Sequence, residues 1–218
     1  MNAYFISGLG ADKRIFSKIK LDEQIHIIHV DWITPLKRES LPDYAKRLSE
    51  IIDVSSAFIL VGVSFGGMIA VEMAKTLNPK LTFTISSTIL SNDLPFIYRL
   101  AGKFGLIRLI PSWILKSSNT ITGNYFFGTK KIEERILLSK IIADTNPKFL
   151  KWAIGSIITW QNTIKPDNLI QIHGTEDRIL YSKAAKVDFM IDKGTHFMVY
   201  QNAAEISEIV NKLISKFV

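Results

Sequence analysis

Apolar residues fall into two alternating patterns along this chain. Six short runs, at about residues 3–7, 25–30, 57–63, 81–86, 168–173 and 187–191, read as strands. Three longer segments, at 41–54, 68–77 and 203–217, carry apolar positions at helical spacing among good helix formers. The run 57–63 is apolar almost throughout, as a strand buried on both faces must be. Strands that alternate with helices predict a parallel sheet covered on both sides, an α/β fold. The alternation fails once. Between 91 and 165 the chain reads as mostly helical, with no convincing strand.

The sequence Gly62-Val63-Ser64-Phe65-Gly66 lies where the third strand feeds a helix that stops at Asn78-Pro79. A serine at such a junction must take a strained backbone conformation, so its neighbours two residues away on either side must be small. That geometry lifts Oγ clear of the sheet and aims the helix N-terminus at whatever Ser64 attacks. The pentapeptide alone is weak, because Gly and Ser are common residues. Its strand–turn–helix setting is what separates a nucleophile from a serine that merely turns the chain.

A serine hydroxyl is a poor nucleophile at neutral pH, so this reading requires a base and a group to orient it. Four histidines are available. His26 and His29 lie inside a strand, where ring nitrogens meet backbone or water, and His173 closes another apolar run. His196 sits in the loop Lys193-Gly194-Thr195-His196-Phe197 beyond the last strand and is the better base. The orienting acid should follow a strand and lie between nucleophile and base in the chain. Asp177 does so, with Glu176 as its neighbouring competitor and Asp93 as a distant one. Alone, Asp177 also reads as a turn carboxylate. The order Ser, Asp, His, each after its own strand, favours the triad.

Those residues bring the chain to resemble the α/β-hydrolase superfamily over nearly its whole length, as a small bacterial serine-hydrolase-like member. The matching pieces are Tyr4-Phe5-Ile6-Ser7-Gly8-Leu9-Gly10, the Ser64 pentapeptide, Gly174-Thr175-Glu176-Asp177-Arg178 and Gly194-Thr195-His196-Phe197. Where the family usually has His-Gly, this chain has Ser7-Gly8. The resemblance implies a six-stranded, mostly parallel sheet of order 2-1-3-4-5-6, without the two antiparallel strands that usually open it. It implies a single domain over 1–218, with residues 91–165 as a helical cap inserted after the fourth strand. It further implies a catalytic triad of Ser64, Asp177 and His196, with an oxyanion hole formed by the backbone N–H groups of Leu9 and Phe65. The expected activity is cleavage of a carboxylic ester or thioester with an apolar acyl group through an acyl-enzyme, with no cofactor and no metal. An acyltransferase, a carbon–carbon hydrolase and a noncatalytic small-molecule receptor are alternatives on the same fold.

Composition narrows the rest. At 218 residues and 47% hydrophobic, the chain can bury a full core. It has no Cys, which excludes disulfides and thiolate metal sites. No run approaches the ~20 apolar residues of a spanning helix, so a soluble, cytoplasmic protein is the expectation. The formal net charge is +7, and residues 91–165 hold all of it, with 11 Lys/Arg against 4 Asp/Glu. The same segment carries 10 of the 23 aromatic residues, which suggests that aromatics line an acyl pocket beneath a solvated basic face. A second reading makes 95–116 a basic amphipathic surface for weak contact with anionic lipid. Nucleic acid is not expected, because no reading module accompanies the charge.

Overall fold

The computed structural model describes residues 1–103, 120–181 and 186–217. Six strands, β1 (Asn2–Ile6), β2 (His26–Val30), β3 (Phe58–Val63), β4 (Thr82–Ile85), β5 (Leu169–Gly174) and β6 (Phe189–Ile191), form one sheet. Their order is β2-β1-β3-β4-β5-β6, and every pairing is parallel. Each expected run becomes a strand, with ends moved by one or two residues. The last starts late because Asp188 Oδ2 accepts the Gln171 N–H at 2.8 Å, so a side chain replaces the first rung of the ladder.

Both faces of the sheet are covered, which explains the unbroken apolar character of β3. On one face Tyr4, Ile6, Phe58 and Leu60 pack against α1 (Leu41–Leu48) and α2 (Phe65–Leu77). On the other, Phe5, Ile59, Val61 and Val63 meet Ile206, Val210 and Ile214 of the C-terminal helix Ala203–Ile214. Burying each such Leu, Ile or Phe side chain contributes about 1.5–3 kcal/mol before conformational entropy is subtracted. The segment expected to be helical over 41–54 is shorter. Helix α1 ends at Leu48, a 3-10 turn covers Ser49–Ile51, and the chain then extends so that the Asp53 N–H reaches Tyr4 Oη at 2.9 Å.

Between β4 and β5 the described residues form a 3-10 turn (Ser91–Asp93) and four α-helices, α3 (Phe96–Lys103), α4 (Thr120–Phe127), α5 (Ile132–Asp144) and α6 (Pro147–Thr159). This excursion leaves and returns at one stitched point. The Ser91 N–H and Oγ–H donate to Asn162 O at 2.8 and 2.9 Å, and Asn162 Nδ2 donates to Ile89 O and Ile164 O, each at 2.8 Å. Helix α6 starts on the Asn146 side chain, which accepts from the Lys148 and Phe149 N–H groups, with Pro147 in the first turn. Its Phe149 and Trp152 enter an aromatic cluster with Trp32, Tyr44 and Phe65, ring centroids 4.4 Å apart for Tyr44–Trp152 and 5.3 Å for Trp32–Phe149. Trp160 Nε1 donates to the buried Glu72 carboxylate of α2 at 2.7 Å. The rest of the chain adds α7 (Met198–Gln201) and α8 (Ala203–Ile214). Of the amphipathic stretch 95–116, residues 104–116 lie outside the described residues. No helix among the described residues is long and apolar enough to cross a membrane.

Candidate active site

Register brings the first pieces together. Ile6 pairs with Gly62, so the loop after β1 emerges beside the end of β3, and Gly8 lies against Ser64. Ser64 takes φ 53° and ψ −118°, a left-handed φ that a non-glycine residue adopts only under constraint. Neighbouring groups impose it. The Ser64 N–H donates to Ile85 O at 2.9 Å, and Ser64 O accepts from Ser87 Oγ at 2.7 Å and from the Gly67 N–H at 2.9 Å. A Cβ on Gly62 would collide with the Gly66 carbonyl, and one on Gly66 with the carbonyls of Ile6 and Ser7. Small residues are required on both sides of this turn.

His196 closes on the serine from the loop after β6. Its Nε2 lies 3.0 Å from Ser64 Oγ, and its Nδ1 lies 2.8 Å from Asp177 Oδ2. Asp177 follows β5, and its other oxygen accepts the N–H groups of Ile179 and Leu180, each at 2.9 Å. Burial pushes this carboxyl up, but the His196 and His173 rings and the amide donors outweigh it and hold it below the ordinary value. Neither competing acid is turned this way. Glu176 reaches out to Lys130 at 3.5 Å, and Asp93 pairs with Lys186 at 2.7 Å. His173 is fully buried beneath the acid loop, where its Nε2 meets Leu180 O and lies 3.5 Å from Asp177 Oδ2. His26 and His29 stand on the edge strand β2, with His29 stacked on Phe16.

The loop after β1 is built around Ser7. Ser7 Oγ donates to Ala11 O at 2.7 Å, the Ala11 N–H closes on Gly8 O at 2.9 Å, and Trp32 Nε1 donates to Ala11 O at 3.0 Å. Gly10 takes φ 67°, and Thr145 Oγ1 from the end of α5 lies 2.9 Å from its carbonyl. Leu9 and Phe65 both border the cavity over Ser64. Among the described residues, neither of their N–H groups is used in the loop and turn hydrogen bonds around them.

That cavity has a volume of about 420 Å³, within the range of small-molecule pockets. Ser64 and His196 border it, and its far wall is aliphatic: Leu138, Ile141 and Ile142 from α5, and Leu150, Ile154 and Ile157 from α6. No charged side chain lines it among the described residues. The expectation of an aromatic lining is met only in part among the described residues, with Phe104 and Trp113 lying outside them. Of the described aromatics between 91 and 165, only Tyr98 and Phe127 border the cavity. Phe149 and Trp152 face the core instead, because α6 turns its branched aliphatics inward to the pocket. Among the described residues, no group of three or more His, Cys, Asp or Glu side chains could hold a metal ion.

No protein-family model and no curated protein matches the sequence. Solved structures match along nearly all of it. An esterase from Exiguobacterium antarcticum is 16% identical, with a TM-score of 0.70 over 99% of this chain and 92% of its own. A lipase-esterase related protein from Clostridium acetobutylicum is 18% identical, with a TM-score of 0.66 over 97% and 93%. A thermophilic esterase from Thermogutta terrifontis is 11% identical, with a TM-score of 0.67 over 99% and 90%. The chain has the α/β-hydrolase fold. Within the α/β-hydrolase fold, all five residues singled out from sequence meet at one cavity or directly behind it. Sequence reasoning missed Ser87, which ties down the Ser64 turn, and the Thr195–Gln201–Glu134 contacts beside His196. The Ser86-Ser87-Thr88 cluster just past β4 was a usable signal for the first. The second has no local signature.

Proposed function

We propose that this α/β-hydrolase is a serine hydrolase that cleaves a carboxylic ester or thioester of an apolar acyl group through an acyl-enzyme on Ser64. One observation carries the reading: a single imidazole spans Ser64 Oγ at 3.0 Å and a buried carboxylate at 2.8 Å. His196 Nε2 takes the hydroxyl proton as Ser64 attacks the carbonyl carbon, and Asp177 stabilises the imidazolium that forms. The Leu9 and Phe65 N–H groups hold the resulting oxyanion at the N-terminus of α2. His196 then returns the proton to the leaving alcohol or thiol as the carbon–oxygen or carbon–sulfur bond breaks. Water repeats the steps on the acyl-enzyme, and the acid departs.

The helices between β4 and β5 act as a cap whose α5 and α6 enclose the acyl chain. The aliphatic wall and the absence of charged lining support an apolar acyl group, and the ester-cleaving names of the matched structures agree with this class. Lys130, Lys131, Lys140 and Lys148 are exposed, which supports a solvated outer face for the basic segment.

A fluorophosphonate probe should label Ser64 covalently, read as an adduct by intact-mass analysis. Ser64→Ala should abolish labelling and lower turnover of p-nitrophenyl esters by several orders of magnitude. A folded wild-type protein with neither adduct nor turnover would overturn the reading in favour of a receptor.

A further inference from the structure

His196 is gripped on both sides by the segment between β4 and β5. Thr195 Oγ1 lies 2.7 Å from Gln201 Oε1 and 2.9 Å from Phe127 O. On the other side, the Phe197 N–H donates to the same Phe127 carbonyl at 3.2 Å. The Phe127 ring meets the imidazole edge to face, centroids 5.4 Å apart. Gln201 Nε2 donates to Glu134 Oε2 at 2.7 Å and to Gly128 O at 3.1 Å. With both amide protons so placed, its oxygen faces the Thr195 hydroxyl, which fixes the orientation of the amide. Glu134 completes the chain. It is 4% exposed and also accepts the Lys130 and Lys131 N–H groups at 2.7 and 3.2 Å.

Glu134 sits at the third position of α5, so its carboxylate both caps the start of that helix and holds Gln201 of α7. The chain reverses at Gly128, φ 69°, so tightly against Thr195 that a Cβ there would collide with the threonine side chain. The corner between α4 and α5 therefore touches the residues on both sides of His196.

We infer that Thr195, Gln201 and Glu134 are positioning residues for His196, a hydrogen-bonded strut through which the inserted helices hold the base in line with Ser64. The inference rests on the hydrolase reading above. Helix α5 carries Glu134 at its start and the cavity residues Leu138, Ile141 and Ile142 further along, so the helix that walls the acyl site also anchors the base.

The test compares Thr195→Val, Thr195→Ser, Gln201→Met and Glu134→Gln with wild type. It follows the rate of fluorophosphonate labelling, kcat and KM for a p-nitrophenyl ester, and folding by circular dichroism. Displacing a catalytic group by 1 Å can cost about 100-fold in rate. Thr195→Val and Gln201→Met should accordingly lower kcat and labelling by about 10- to 100-fold with little change in KM. Thr195→Ser, which keeps the hydroxyl, should restore most of the rate. A strut with a structural role alone would lower thermal stability and leave kcat of the folded protein unchanged, and that result overturns the inference. Equal losses in Thr195→Ser and Thr195→Val overturn it too. Gln201 and Glu134 lie outside the His196 loop, so if Thr195→Val does not fold, unchanged labelling in those two variants decides against it. Absence of labelling in wild type is a separate outcome, which removes the hydrolase reading itself.

Discussion

At the scale of single residues, the proposed mechanism depends on which way one buried carboxylate directs one ring. In Asp177→Asn the amide oxygen can still accept the Ile179 and Leu180 N–H groups, so the loop should hold. The new NH₂ group, however, faces His196 Nδ1 and favours the tautomer with its proton on Nε2, which cannot accept from Ser64. We expect kcat to fall by about 10⁴-fold near neutral pH, with circular dichroism unchanged. Glu176→Gln and Asp93→Asn should be mild, because those side chains are directed to Lys130 and Lys186. A crippling Asp93→Asn with a tolerated Asp177→Asn would move the acid to the end of β4. His173 bears on stability instead. Burial foremost, with His196 nearby acting the same way, holds its ring below the ordinary histidine value despite the pull of Asp177 and the Leu180 carbonyl. Below about pH 6.5 the unfolded chain therefore binds a proton there that the folded chain does not. Stability should be full above that pH and fall as pH drops through it toward the depressed folded value. Denaturant midpoints measured across this window should decline in wild type and decline less steeply in His173→Gln, where His29, also held low by burial, still contributes. An identical decline in both would remove His173 as the cause.

Elements set how much of this can be read in advance. The turn from β3 into α2 works because two elements and a loop approach within contact at Gly66. Gly66→Ala should push the β1 loop away from Ser64, destabilising the protein by about 1–3 kcal/mol and slowing probe labelling with it. Gly123→Ala is the control, since its Cβ would meet only Ile142 Cδ1 at an ordinary 3.6 Å. Equal denaturant midpoints for both variants would contradict the crowding argument. The six strands were legible because runs such as Phe58–Val63 are apolar on both faces and end in Gly, Ser or Asp. The juxtaposition of Ser64, Asp177 and His196 was legible because each follows its own strand, so chain order alone carried the arrangement. What stayed hidden depends on contacts between distant segments. Nothing near Phe149 or Trp152 says that they face Trp32 and Tyr44 rather than the cavity. Likewise Glu134 and Gln201 are ordinary helix residues until the fold brings them to 2.7 Å. The early end of α1 belongs here too, since it follows from the reach of Asp53 to Tyr4 on another element.

For the whole molecule, the proposed function makes substrate size a matter of where two layers meet. The sheet and its loops carry Ser64 and His196, and α5 and α6 supply an aliphatic wall, with a cavity of about 420 Å³ between them. An acyl chain entering that space removes apolar surface from water, a gain of about 0.8 kcal/mol for each methylene, close to fourfold in kcat/KM. A series of p-nitrophenyl esters should therefore show kcat/KM climbing with chain length until the cavity is filled, then dropping once further methylenes meet the wall. Ile154 is a suitable place to move that limit. It lines the cavity from α6, is partly buried, and belongs to neither the Ser64 turn nor the His196 loop. Ile154→Trp should shift the optimum to shorter chains while leaving the acetate ester nearly unaffected, because the reacting groups and oxyanion donors stay in place. A uniform loss across all lengths would mean that α6 shapes the reacting centre instead. A flat profile in wild type would mean that the acyl group lies outside this cavity.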